Sequence, residues 1–191
     1  ITVDVSDVGS GSAGSGTDYS SVGVVTLTFP AGSSNGDTQI FNLDVLSDLL
    51  VEGDETVDLE LSNVTGTGGV LGGQTVHTAT ITDDDQATVA FQAGSSATAD
   101  EAAGNHAVEV VLSVPAGTTP GNITVDVSDG GSGSAISGTD YSAVGTVTLT
   151  FPAGSSNGDT QIFNLDVLGD LLVEVDETVD LQLSNVSGTG G

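Results

Sequence analysis

Two stretches concentrate carboxylates at spacings that suit metal chemistry. Asp48, Glu52, Asp54 and Glu55 fall within eight residues, and Asp170, Glu174, Asp176 and Glu177 repeat the pattern. Asp83-Asp84-Asp85 form a contiguous third group, and Asp18, Asp100, Glu101, Asp129 and Asp140 stand singly or in a pair elsewhere. Carboxylates crowded together repel, and some of them then resist ionising. A hard divalent cation relieves the repulsion. Ca2+ accepts about 6–8 oxygen ligands in flexible geometry, whereas Mg2+ prefers to keep its waters. Ca2+ is therefore the expected ion.

The rest of the composition strengthens that expectation. The 191 residues include 27 Asp and Glu and no Lys or Arg, for a formal net charge of −27. A folded chain this acidic repels itself unless cations gather on it. The composition argues against nucleic acid and anionic membranes as partners, since both need basic residues. There is no Cys, so neither disulfides nor thiolate metal sites are available. No apolar run approaches the roughly 18–20 residues of a membrane span.

The elements that must position these acids follow from alternation. In the order of one repeat, strand A is expected at 88–91, B at 106–114, C at 123–127, D at 147–151, E at 161–168, F at 179–183 and G at 75–82. Earlier copies of C to F are expected at 1–5, 25–29, 39–46 and 57–61. Val108, Val110, Leu112 and Val114 share one face of B. Ile123, Val125 and Val127 share one face of C, and Phe163, Leu165 and Val167 one face of E. Gly, Ser, Thr, Asp and Val dominate, a composition that suits strands and loops and not helices. Seven short strands in about 120 residues predict an all-β fold, an immunoglobulin-like antiparallel β-sandwich.

If successive strands run antiparallel, the loops after A, C, E and G share one end of the sandwich. Over residues 70–191 that end receives Asp100, Glu101, Asp129, Asp140, Asp170, Glu174, Asp176, Glu177, Asp83, Asp84 and Asp85, eleven carboxylates, against Asp159 alone at the other. A merely solvated surface would not sort its charge in this way.

Residues 1–69 recur as 123–191 and differ at 8 of 69 positions, among them Gly14/Ile136, Ser47/Gly169 and Gly53/Val175. The offset of 122 residues is too long for a solenoid turn and fits one domain per repeat. Two tandem sandwiches are expected. The first, 1–85, lacks A and B, and the second, 86–191, lacks G. A sandwich short of a strand has unpaired edges. A continuous array would supply the missing strands from the same polypeptide, and strand addition between subunits would supply them from another.

The motifs reached here resemble the Calx-β family. They are Gly16-Thr17-Asp18-Tyr19 and Gly138-Thr139-Asp140-Tyr141, the acidic stretches 48–56 and 170–178, Leu61-Ser62-Asn63 and Leu183-Ser184-Asn185, and the closing Ile81-Thr82-Asp83-Asp84-Asp85. The resemblance covers essentially the whole chain. It implies tandem Calx-β sandwiches and Ca2+ ligands at Glu101, Asp140, Asp170, Glu174, Glu177 and Asp83, Asp84 and Asp85. In the first copy it implies Asp18, Asp48, Glu52 and Glu55. The family often has two or three adjacent Asp before the acidic stretch. Here a single Asp is flanked by Ser47 or Gly169 and by Leu49 or Leu171, which leaves one ion position with fewer ligands.

Catalysis is not expected. Gly32-Ser33-Ser34-Asn35-Gly36 and its copy at 154–158 match a nucleophile elbow in letters only, because they sit between two strands and lack a partnered His. Asn-Gly is ordinary turn chemistry. His77 and His106 fall outside the acidic loops and are expected on strand surfaces. Asp83–Asp85 is no EF-hand, since the glycine of loop position six is missing. Asn63, Asn122 and Asn185 begin glycosylation sequons, which matter only in a secretory system that reads them. Tyr19 and Tyr141 are expected to be structural.

The expected role is a Ca2+-binding structural or adhesive repeat of an extracellular filament or cell-surface fibre, with neighbouring repeats or subunits of the same protein as partners. The alternatives are a Ca2+-sensing regulatory module and a non-catalytic module appended to a large surface enzyme.

Overall fold

A computed structural model describes residues 1–97, 102 and 104–188. Ten strands are present among the described residues: β1 (Thr2–Asp7), β2 (Val25–Thr28), β3 (Glu55–Thr65), β4 (Val76–Ile81), β5 (Thr88–Phe91), β6 (Asn105–Ser113), β7 (Ile123–Asp129), β8 (Val147–Phe151), β9 (Thr160–Asp166) and β10 (Leu181–Ser187). All strand pairs are antiparallel. The chain divides into two compact units. One comprises Ile1–Asp48 and Gly53–Asp83, and the other Leu49–Glu52 and Asp84–Gly191.

The second unit has two three-stranded sheets, β10-β7-β8 and β5-β6-β9. Their inward side chains meet in one cluster. Val110 and Leu112 of β6 and Phe163 and Leu165 of β9 come from one sheet, and Ile123, Val125 and Val127 of β7 and Phe151 of β8 from the other. These are the alternating apolar positions of the sequence, so period-2 patterning alone accounts for the sandwich. The first unit has a four-stranded sheet, β2-β1-β3-β4. Its cluster of Val5, Tyr19, Val57 and Leu59 is partly covered by Phe41 and Leu43.

Two departures from the expected strands share a physical cause. Residues 38–44 and 160–166 have the same sequence, Thr-Gln-Ile-Phe-Asn-Leu-Asp. In the second unit the segment is β9, paired along its length with β6. In the first unit the expected strand at 39–46 is reduced to a bridge between Val45 and Tyr19. A strand exists where a neighbour accepts its hydrogen bonds, and β6 is that neighbour. The same reasoning separates β3 from β10. β3 begins at Glu55 because Glu55 to Glu60 pair with β4, while β10 begins only at Leu181.

Strand F also runs further than alternation suggests, to Thr65 and Ser187 rather than to Leu61 and Leu183. Each continuation passes through an Asn with positive φ, Asn63 (48°) and Asn185 (50°). The register against the partner strand shifts at this point. These are β-bulges, and Asn tolerates their left-handed residue. The Nδ2 of Asn63 donates to Asp4 Oδ2 at 2.7 Å, and that of Asn185 to Asp126 Oδ2 at 2.9 Å. The Leu-Ser-Asn motif therefore pins a bulge.

The two copies of one sequence meet different degrees of burial, and stability should follow burial. Phe151 is fully buried while its copy Phe29 is half-buried. Phe151→Ala is expected to cost about 3–5 kcal/mol, in the range for deleting a core aromatic side chain, and Phe29→Ala distinctly less. Urea unfolding of the two variants measures the difference, and equal losses would contradict this account.

Candidate metal centre

The Gly-Thr-Asp-Tyr motif is a turn that aims one acid and buries one phenol. Gly16 (φ 92°) and Gly138 (φ 84°) adopt the left-handed region, which glycine enters without a Cβ penalty. The N–H of Gly16 donates to Tyr19 O at 2.8 Å, closing the turn, and Gly138 does the same to Tyr141 at 2.7 Å. Asp18 Oδ2 accepts the N–H of Gly14, and Asp140 Oδ2 that of Ile136, both at 2.5 Å. Because these are main-chain donors, the Gly14/Ile136 difference between the copies leaves the contact intact.

The motif is then fastened to the exit of strand E. Leu46 N–H donates to Asp18 O and Leu168 N–H to Asp140 O, both at 2.9 Å. The start of strand F is clamped to the loop after strand C. In the second copy Ser134 N–H donates to Thr178 Oγ1 at 3.2 Å, while Thr178 N–H donates to Ser134 Oγ at 3.0 Å. Ser12 and Thr56 repeat the exchange at 3.3 and 2.9 Å. A glycine allows the close approach, because a Cβ on Gly11 or Gly133 would stand 2.1 Å from the carbonyl oxygen of Thr56 or Thr178. Three chain segments, the motif, the strand E exit and the strand F entry, are thus tied together.

Carboxylates meet at this junction. Asp140, Glu174 and Glu177 each offer an oxygen, all within 4.8 Å of one another. Two oxygens bound to one Ca2+ at about 2.3–2.6 Å lie at most about 4.6–5.2 Å apart, so the three can share an ion. The donors are all carboxylate oxygens, the ligand type for a hard cation. In the first unit Asp18 and Asp48 have oxygens within the same 4.8 Å, and Glu55 hydrogen-bonds the Asp18 carboxylate. The Gly14 N–H chiefly holds the Asp18 carboxyl below its ordinary range, with lesser help from Glu55 and Thr17, against the opposing effect of burial. Two carboxyls in hydrogen-bond contact must share either a proton or a cation.

The other expected ligands are placed as follows. Glu52 is half-buried on the Leu49–Glu52 segment of the second unit. Asp170 accepts the N–H of Leu172 at 2.6 Å, an Asx turn opening the acidic stretch. Asp83 and Asp85 are half-buried and Asp84 is exposed, and none of the three joins the Asp140 group. Glu101 lies outside the described residues. His77 is exposed on β4, and His106 Nε2 contacts Ser96 Oγ at 2.7 Å.

Sorting acids by loop overcounted one of them. Asp129 stands at the acidic end, but its Oδ2 accepts the phenol of Tyr141 at 2.5 Å and its Oδ1 accepts the N–H of Gly131 at 2.8 Å. Asp7 repeats the arrangement with Tyr19 at 2.6 Å and Gly9 at 2.8 Å. Both tyrosine rings are buried. These acids hold a Tyr in the core. No sequence signal marks the pair, because near-identical copies repeat every spacing alike.

The Gly32–Gly36 and Gly154–Gly158 segments are turns. Asp37 accepts the N–H of Ser34 at 2.8 Å and Asp159 that of Ser156 at 2.9 Å. Ser155 Oγ donates to Pro152 O at 2.7 Å.

The Asp129–Tyr141 bond has a pH signature with two limits. The Tyr141 phenol chiefly, and the Gly131 N–H next, hold Asp129 below the ordinary carboxylate range. That contribution is present above the unfolded value of about 3.9 and is lost as pH falls through the lower folded value. Asp129 in turn pushes Tyr141 above the ordinary phenol value, with burial adding to the effect. That contribution is full below about 10 and fades as pH rises through the higher folded value. Tyr141→Phe is expected to lower the melting temperature most between those limits and to bring acid unfolding to a higher pH. A melting temperature indifferent to pH in both proteins would contradict this.

A family model of the Calx-beta domain matches twice, over residues 2–85 and 82–190. No relative matches among curated proteins. Among solved structures, one titled as CBD12 from CALX1.2 matches with a TM-score of 0.42 and 21% identity, covering 97% of this chain and 67% of that one. Another, titled as calcium binding domain CBD12 of CALX1.1, has a TM-score of 0.43 and 22% identity over the same shares. With the family model covering nearly every residue in two successive matches, the chain belongs to the Calx-β domain family.

Proposed function

We propose that this chain is a Ca2+-binding, non-catalytic module of a tandem array that serves as a structural or adhesive element of an extracellular filament or cell-surface fibre. The observation that carries the reading is the meeting of Asp140, Glu174 and Glu177 within 4.8 Å in a protein without a single Lys or Arg. Nothing in the side chains of this protein other than two histidines can supply positive charge, and neither stands in that group. A divalent cation is the partner such a group calls for. Asp18, Asp48 and Glu55 are the proposed ligands in the first copy, joined by Glu52 through its equivalence to Glu174. Asp83, Asp84 and Asp85 are further proposed ligands, on the family resemblance of the Ile81–Asp85 motif.

The near-identity of the copies, 8 differences in 69 positions, favours an array over a regulatory pair, in which two sites of unlike affinity would be useful. Neighbouring repeats of the same protein are the proposed macromolecular partners.

Thermal melting of the whole chain, with chelator and with Ca2+ at fixed ionic strength, tests the ion. At free Ca2+ about 100 times the dissociation constant, one site adds about 2.7 kcal/mol, so the melting temperature is expected to rise. Asp140→Asn should remove most of the second copy's share of that rise. Asp159→Asn should not, because Asp159 caps a turn among non-acidic neighbours and the amide oxygen can still accept the Ser156 N–H. Equal losses in the two variants would mean that Ca2+ responds only to total charge.

A further inference from the structure

The pentapeptide Asp-Leu-Leu-Val-Glu occurs twice, at 48–52 and at 170–174, and its valine meets opposite surroundings, while Leu49 is 58% and Leu50 39% exposed even in the first copy. Leu49–Glu52 packs as part of the second unit. Val51 is 2% exposed there, in the core cluster with Ala87, Val110, Leu112 and Val114. Leu50 forms a parallel backbone bridge with Ala116. Its Cδ2 lies 2.8 Å from where a Cβ on Gly117 would stand, and Gly117 has φ +64°. A side chain at 117 would therefore meet both strain and the leucine. In the second copy Leu171 and Val173 are each 101% exposed and Leu172 is 64% exposed.

Three consecutive apolar residues left bare between acids need a partner. We propose that Leu171-Leu172-Val173 is a docking segment, and that its Leu172 and Val173 seat in a further copy of the surface that receives Leu50 and Val51, where Val51 enters the core cluster and Leu50 meets Ala116 and Gly117. The partner is thus another repeat of this protein. Identity of sequence makes the case, since the same Leu-Leu-Val-Glu already packs with that unit once within the chain. Charge narrows the choice further. Asp170 and Glu174 flank the segment and disfavour an anionic lipid surface, whereas the receiving side chains carry no charge. The receiving surface of this chain is filled by its own residues 49–52, so the partner is a repeat whose surface is vacant. The inference is argued from apolar burial and sequence identity and does not rest on the ion.

The chain has no cysteine, so a single introduced thiol reports one position. In the 191-residue chain, Val173→Cys should react with a maleimide at the rate of a free thiol, and Val51→Cys at least about 100-fold more slowly, as for a site reached only by opening. The chain lengthened at its C-terminus by a further copy of residues 70–191 should slow Val173→Cys to the rate of Val51→Cys. Placing Val at the appended copy's counterpart of Gly117 should restore fast labelling. In the 191-residue chain, Gly117→Val should likewise expose Val51→Cys. Fast labelling of Val173→Cys in the lengthened chain would overturn the proposal. So would slow labelling that the glycine substitution leaves unchanged, since that would be shielding without a seat.

Discussion

Negative charge with almost no internal counter-charge is the constraint on which this structure depends. With 27 acids and no Lys or Arg, each carboxylate must be satisfied by a neutral donor, by another carboxyl or by something from solution. Several acids of the sheets use neutral donors. Asp4 accepts from Thr26 and Asn63, Asp58 from Ser10 and Thr78, and Asp7 from Tyr19 and Gly9. Asp126 and Asp129 repeat two of these patterns in the second copy. Such bonds favour the ionised form, and Asp4, Asp58, Asp126 and Asp129 are all held below the ordinary carboxylate range by their hydroxyl, amide or backbone donors. The price is that the charge persists. Neutral donors fix where a carboxylate points but do nothing to offset its field.

That distinction separates structural acids from candidate ligands. The structural acids sit on strands or at strand ends, one or two neutral donors apiece, and are spaced by the sheet. The candidate ligands sit where three segments are tied together, and there carboxyls approach one another. Asp18 has both kinds of neighbour. Its Gly14 bond orients it as a structural acid, and its contact with Glu55 makes it part of a cluster. An acid oriented by the backbone and facing other acids is preorganised for a cation, because the conformational cost of holding it there is met by folding and not by binding.

The sandwich was legible in the sequence wherever burial alternates. Val110, Leu112, Ile123, Val125, Val127, Phe163 and Leu165 all turn inward as period 2 requires. Strand limits were less legible, because pairing decides them. Residues 38–44 and 160–166 share every letter and differ in structure, so no reading of the segment alone could separate them. The bulges at Asn63 and Asn185 ended the apparent alternation early while the ladder continued. Among the acids, sorting by loop brought Asp140, Glu174 and Glu177 to one end correctly but could not see that Asp129 belongs to Tyr141. Loop position gives the neighbourhood of a side chain, whereas its partner depends on rotamer and distance.

The Asp-Leu-Leu-Val-Glu segment resisted the sequence for a related reason. Read as loop, its three apolar residues are an anomaly between acids. Read as strand, three in a row break alternation and cannot all face one core. The structure resolves this by giving the residues different surroundings, with Val51 in a core and Asp48 beside Asp18. Asp48 and Val51 are separated by only three peptide units, so they cannot be ordered independently. Any ion that fixes Asp48 restricts the backbone through Leu49 to Val51. Burial of Val51 restricts Asp48 in return. Whatever free energy one event lends the other is returned in full, since linkage between two binding equilibria is reciprocal.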